Sequence, residues 1–446
     1  MTNKDEFVKN YIDCISRCKT EREWVTEAEL IALKHGFSKF NYDLEYKPGD
    51  KVYFINRKKN FAAFVFGKNN SYANLLGAHI DSPRIDVKQH PLYESAKVAY
   101  FDTQYYGGIK KYQWTTIPLA LHGIVIKSSG ETINVNIGEK PNDPVFCITD
   151  LLPHLSRSEM SKKTAEDFIK GEKLDIIVGT TPYEEKTDDT LKVEDKETVK
   201  KFIINYLKEN WLIDNEEDFC SAELELVPAG PARYCGLDKS LVAAYGQDDR
   251  VCAYTSLMSV MDLDVVPDNT AGVILVDKEE IGSCGATGAK SRWFADILRC
   301  VFGIRDEVRF ATCLHNTKML SSDVTAAFDP LYADVYDKKS SAKLGDGIMF
   351  SKYNGGRGKS GGADASPEFI AYVRNIMKFN KCKYQFDSMG KVDQGGGGTI
   401  ASMISDLNIN ILDAGVPVLN MHSPMELAHV NDIYAAYEAY TAFIKG

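Results

Sequence analysis

Five apolar runs in this chain stop on a histidine or an acid, and that pattern constrains its fold more than any other feature. LLGAH reaches His79 and then Asp81, and VAAYGQDD reaches Asp248 and Asp249. GVILVDKEE reaches Glu279 and Glu280, the loop after VRFATCLHNTKML holds Asp323, and PVLNMHS reaches His422. Short apolar runs bounded by turn residues read as buried strands. Here helical patterns separate them, which predicts an α/β fold: a mostly parallel, mixed sheet with helices on both faces. Ligands of such sheets gather beyond the carboxyl ends of the strands. One common sheet would therefore bring both histidines and the carboxylates to a single rim.

Along the chain, residues 1–36 read as helix, with Trp24, Val25, Ala28, Ile31 and Ala32 at helical spacing and a stop at His35-Gly36. KVYFINR and FAAFVFG read as paired strands, and YANLLG as a buried strand that loosens into a loop at Gly77. AGVILVD is the clearest buried strand, and VRFATCLHN reads as another. Between 94 and 235 the texture changes to Tyr- and Gly-rich antiparallel patterns such as LALHGIVIK and TINVNIG. The economical reading is a discontinuous domain, 1–93 plus 236–446, carrying an inserted, mainly β domain at 94–235. The charge-dense segment 183–201 reads as a solvated loop and helix start.

A chain of 446 residues buries enough core to fold without disulfides or a structural metal. Its 53 basic and 63 acidic residues leave a net charge of −10, which counts against a nucleic-acid partner and against docking on anionic lipid. No run approaches the roughly 20 apolar residues of a membrane span. The charged N-terminus lacks the apolar core of a secretory signal, and the 10 scattered cysteines include no CxxC pair. A cytoplasmic protein with reduced thiols is expected.

Five or six carboxylates on one rim repel each other unless cations neutralise them. Imidazole and carboxylate donors suit zinc, and also manganese or cobalt. A pair of ions about 3.5–4 Å apart needs a bridging carboxylate and about two further ligands each. The inventory fits that count and leaves one carboxylate as a general base. Each fragment alone has a plainer reading: a hydrogen-bonded loop histidine at His79, a helix cap at Asp248, a surface acid pair at 279–280, a turn cap at Asp323, a core histidine at His422. Their shared position at strand ends adds the weight. GGRGKSGG invites a phosphate-binding-loop reading, but that pattern needs a glycine where Tyr353 stands. No clear strand is legible before that loop either.

GAHIDSPR, GQDDR, VDKEEIGS, SSDVTAAFDP and MHSPMELA, in that order, resemble the M18 family of dinuclear metalloaminopeptidases from about residue 70 to the C-terminus. The resemblance implies an aminopeptidase acting on peptides with two divalent cations per subunit, zinc first, manganese or cobalt as substitutes. By resemblance, His79 and Asp323 ligate one metal, Glu280 and His422 the other, and Asp248 bridges them. Glu279 matches the general base, Asp81 the acid that orients His79, and Asp248–Asp249 is the place for a cis peptide. The insert would mediate dimerisation, and dimers would assemble into a dodecamer. A histidine of the insert would reach a neighbouring subunit's site, with His154 the candidate and His122 its rival. Lys352, Asn354 and Gly396, the last in the glycine run 395–398, are the candidates for substrate binding. Trp114 is followed by Thr-Thr-Ile-Pro-Leu rather than the family's acid-rich stretch, and KYNGGRGKSGG keeps only Lys352 and Asn354 of a substrate segment. A preference for acidic N-terminal residues is thus left open. A catalytically inactive relative serving as a scaffold is the alternative function.

Overall fold

Two helices open the chain where periodicity suggests one. In the computed structural model, which describes residues 3–184 and 197–446, they span Lys4–Arg17 and Glu21–Lys34. The break at Cys18–Thr20 has a local cause. The Thr20 hydroxyl accepts from the Glu23 N–H, and the Glu23 carboxylate accepts from the Thr20 N–H, closing a capping box. The segment 185–196, most of the charge-dense run, lies outside the described residues.

The described residues form two compact units, 3–82 with 231–421 and 425–446, and 83–184 with 197–230 and 422–424. The first is built on a nine-stranded sheet. Its order is Ser38–Lys39, Lys51–Asn56, Asn60–Val65, Asn269–Val276, Asn69–His79, Lys318–Ser322, Asn410–Gly415, Ile348–Ser351 and Tyr384–Asp387. Five of its eight pairings are parallel. The central strands alternate between two cores, as period-2 geometry demands. Leu76, Ala78, Val273 and Leu275 pack on one face with the helices Lys4–Arg17, Gln247–Met261 and Val430–Lys445. Ala73, Leu75, Ile274 and Val276 pack on the other with Trp293–Phe302 and Glu307–Asn316. Fully burying one such aliphatic side chain contributes roughly 1.5–3 kcal/mol, so both faces are strongly specified.

Three readings need correction. VRFATCLHN is a helix, not a strand: Phe310, Cys313 and Leu314 recur at helical spacing, and Asp306 caps it by accepting from the Arg309 N–H. The strand beside it is Lys318–Ser322. The strand through YANLLG does not loosen at Gly77 but continues to His79. Nor do all the acid-bearing strands share one sheet. Leu241–Ala244 and Pro417–Leu419 belong to a separate five-stranded sheet of the same unit.

The second unit holds a seven-stranded sheet whose described pairings are all antiparallel. Within it Leu119–Ile126 pairs with Thr132–Ile137, the hairpin that LALHGIVIK and TINVNIG suggest.

Candidate metal centre

Strand register sets the site. Asn269–Val276 and Lys318–Ser322 flank Asn69–His79 in parallel, with Val276 opposite His79 and Ser321 opposite Gly77. Their carboxyl ends therefore coincide. His79 closes the middle strand, Asp323 follows one neighbour, and a short 3₁₀ turn, Glu279–Ile281, follows the other. Asp248 arrives from the smaller sheet, at the start of the helix Gln247–Met261, where the Asp248–Asp249 peptide is cis. Its N–H donates to Glu426 Oε2 at 2.9 Å, and its carbonyl accepts from the Ser82 hydroxyl at 2.6 Å.

The buried His79 ring sits among acids. Nε2 lies 3.3 Å from Asp248 Oδ1 and 3.9 Å from Asp323 Oδ1, while Nδ1 lies 3.0 Å from the Asp81 carbonyl and 3.3 Å from its carboxylate. Burial opposes a charge on this ring, but its bonds to Asp248 and Asp81 and the charge of Asp323 outweigh burial and raise its pKa well above the ordinary value. Burial, then the charge of Asp249, raises Asp323 in the same way, with His79 pulling against them. Asp81 also accepts from the Glu279 N–H at 3.1 Å and the Glu280 N–H at 3.2 Å. One carboxylate thus holds the histidine and the turn that carries both glutamates.

Two donor groups converge here: His79 with Asp248 and Glu280, and His79 with Asp249 and Asp323, the donor atoms of each lying within 4.8 Å of one another. Imidazole nitrogen and carboxylate oxygen are the donors that zinc takes. A buried cluster of acids otherwise bears uncompensated repulsion, so the residues present fit a divalent cation. Asp249 escaped the sequence reading as a donor. Its position at the end of the VAAYGQDD run marked it as a rim acid without a ligand role; it is fully buried, accepts the His79 N–H at 3.3 Å, and burial pushes its carboxyl well up. Glu426, present in MHSPMELA but given no role, is buried against Asp248.

The remaining candidates fall elsewhere. His422 is in neither donor group; it clusters with the second unit, where Nδ1 lies 2.9 Å from the Gly108 carbonyl. His154 is exposed on the helix Pro153–Met160, whereas His122 is buried with Nε2 3.1 Å from Glu139. Lys352 is exposed. Asn354 donates to Thr399 Oγ1 and Asp413 Oδ2, both at 2.8 Å, and accepts the Ala363 N–H at 2.6 Å. Gly396 has φ 119°, and a Cβ there would meet the Gly355 carbonyl at 2.2 Å. The two glycine-rich segments thus lie backbone to backbone. A strand, Ile348–Ser351, does precede GGRGKSGG, contrary to the sequence reading. No helix follows at the Gly-Lys-Ser: Gly356 and Ser360 bridge to each other, and the next helix starts at Pro367. The phosphate-loop reading fails on that point.

A mixed sheet covered on both faces, with histidine and carboxylate donors at its strand ends, is the scaffold of a metal-binding α/β protein. The aminopeptidase I zinc metalloprotease (M18) family model matches residues 14–444, and the chain belongs to this family. It is a metal-dependent aminopeptidase. It is 48% identical over 447 residues to a probable M18 family aminopeptidase 1 of Clostridium acetobutylicum, covering 98% of this chain and 93% of that one. The crystal structure of an M18 aminopeptidase from Thermotoga maritima superposes with a TM-score of 0.93 at 43% identity, covering 99% of this chain and 96% of that one. The S. cerevisiae mApe1 dodecamer shares the fold at 21% identity, with a TM-score of 0.77 over 99% of this chain and 97% of that one.

Proposed function

We propose that the cluster around His79 is a dinuclear centre at which this aminopeptidase removes N-terminal residues from peptides. The observation that supports the reading is that four carboxylates, from Asp248, Asp249, Glu280 and Asp323, converge on the one His79 ring, more negative charge than a single divalent cation neutralises. His79, Asp248, Glu280 and Asp323 would hold the cations, zinc before manganese or cobalt; His422, the fifth ligand the family resemblance implies, lies in neither donor group. When bound, the cations would supply positive charge that acidifies the attacking water and polarises the scissile carbonyl. The chain's own residues do the rest. Asp81 fixes the His79 ring and, through two backbone bonds, the Glu279–Glu280 turn. Glu279, partly exposed, takes the proton of the attacking water and delivers it to the departing amine. Lys352, Asn354 and Gly396 belong to the segments that receive the substrate; Asn354 does so by tying the glycine loop to Asp413 and Thr399.

The chain acts as a homo-oligomer, with dimers built by the inserted unit and a dodecamer above them. The mApe1 dodecamer of the same fold supports this, and exposed His154 is the residue offered to a neighbour. No helix among the described residues is long and apolar enough to cross a membrane. A cytoplasmic location accords with ten free cysteines.

The test is hydrolysis of Asp, Glu, Leu, Lys and Ala p-nitroanilides by chelated and zinc-restored protein. Zinc-dependent cleavage confined to Asp and Glu assigns an acidic specificity to the enzyme. Cleavage of Leu or Lys substrates assigns a broad one. No cleavage of any substrate refutes the peptidase reading of the centre and leaves a scaffold.

A further inference from the structure

The loop that presents Glu279 and Glu280 is closed from behind by residues the reaction above does not use. It leaves the strand at Asp277, turns through left-handed backbone at Lys278 (φ 69°), Gly282 (φ 93°) and Ser283 (φ 58°), and returns at Thr287. Asp277 is fully buried. Its Oδ2 accepts from the Thr287 hydroxyl at 2.6 Å and from Lys278 Nζ at 2.8 Å, and its N–H donates to the Thr287 carbonyl at 3.3 Å. Two asparagine amides of the neighbouring hairpin hold the same corner. Asn60 Nδ2 donates to the Thr287 carbonyl at 2.5 Å and Asn56 Nδ2 to the Ala286 carbonyl at 2.9 Å. Inside the ring, the Ser283 N–H bonds the Lys278 carbonyl at 2.7 Å and the Gly282 N–H the Glu279 carbonyl at 2.9 Å.

A buried carboxylate is a costly way to close a surface loop. Burial and the charge of Glu21 push Asp277 up to about 6, against the pull of Lys59. Too buried to meet a substrate, Asp277 acts only through the backbone it holds. That backbone enters Glu279 two residues later, and on its far side Asp81 holds the Glu279 and Glu280 N–H groups. The turn is therefore gripped at both ends, and charge-assisted bonds are the strong kind for such a grip. General-base catalysis needs the carboxylate within hydrogen-bond reach of the proton it removes, and a displacement of about 1 Å costs on the order of 100-fold in rate.

We propose that Asp277 and Thr287 form a clasp that positions the Glu279 turn for proton transfer, as positioning residues rather than catalytic ones. The proposal rests on the reading of Glu279 as the base. The test compares Thr287→Val and Thr287→Ser with the full wild-type chain, zinc-loaded, on the best p-nitroanilide. The valine variant loses the hydroxyl and keeps the shape. Its kcat is expected to fall about tenfold or more, with KM within about twofold and zinc content unchanged. The serine variant should recover to within about threefold of wild type. In chelated protein, amide hydrogen exchange over 278–283 should quicken about tenfold in Thr287→Val and return in Thr287→Ser. Wild-type kcat and exchange in the valine variant would overturn the clasp. So would a change in KM alone, or a serine variant as impaired as the valine one. If Thr287→Val does not fold, Thr287→Ala is measured by the same exchange. If the wild type shows no metal-dependent hydrolysis, the base reading falls, while the exchange result still decides whether the clasp exists.

Discussion

Asp81→Asn is the sharpest probe of the metal centre, because one carboxylate there serves three partners. In the native chain its two oxygens accept from the Glu279 and Glu280 N–H groups at 3.1 and 3.2 Å and face His79 Nδ1 at 3.3 Å. A carboxamide has one acceptor oxygen. It can keep one backbone N–H and must turn its own NH₂ toward the other. A hydrogen bond to a charged acceptor contributes about 1.5–3 kcal/mol, and a buried donor left unmatched costs a further 1–3 kcal/mol or so. Relaxation of the partly exposed turn recovers some of this, leaving about 2–4 kcal/mol. At about 1.4 kcal/mol per tenfold, the variant should lose roughly 100-fold, divided between zinc affinity and kcat. Partners behind metal ligands typically cost about 10–100-fold when changed. Zinc affinity is measured by competition with a chromogenic chelator, and kcat at saturating zinc. Circular dichroism checks that the chain is folded. A folded variant with wild-type affinity and wild-type kcat would refute the argument that Asp81 organises the site.

Glu279→Gln should keep its metals and lose turnover by about 100-fold or more; elemental analysis with a rate measurement checks this, and substantial residual activity would remove Glu279 as the base. Asp248→Asn should lose metal outright, and a variant retaining two ions per chain would disprove the bridging role. Asp432 supplies a pH prediction away from the site. It is fully buried, accepts from Gly345 and Gly347 N–H groups at 2.7 and 2.8 Å, and burial pushes its carboxyl from 3.8 to about 7. Because the folded value is the higher one, the folded chain keeps this proton where the unfolded chain has released it. Its contribution is greatest below about pH 4 and is lost as pH rises to about 7. Asp432→Asn should therefore flatten the fall in stability between pH 5 and 7 by about 2 kcal/mol, read from urea unfolding of chelated protein. Parallel curves for the two proteins would contradict this.

Local chemistry was legible without coordinates. AGVILVD announces a buried strand because its side chains leave it no exposed face, and the acids that follow it stand out against that background. The family motifs, spread across most of the chain, carried the fold class and the activity. His79, Asp248 and Glu280 were identified one by one, and the structure gathers them into one donor group. Where two periodicities competed, sequence failed. VRFATCLHN has the apolar content of a strand, and only its packing on one face of the sheet makes Phe310, Cys313 and Leu314 a helical stripe. The single helix over 1–36 hid a capping box that breaks it.

Other features depended on residues far apart in sequence. The register that levels Val276 with His79 comes from neighbouring strands. The assignment of Leu241–Ala244 and Pro417–Leu419 to a second sheet comes from their pairing partner, Glu426–His429. The grouping of His422 with the second unit, and the entry of Asp249 into a donor group, are likewise outcomes of packing. Sequence by itself determined which side chains this protein has for binding a cation and moving a proton, because those properties belong to single residues and short motifs. Only the tertiary structure decided which of them meet, because distance and burial are set by contacts that no local pattern encodes.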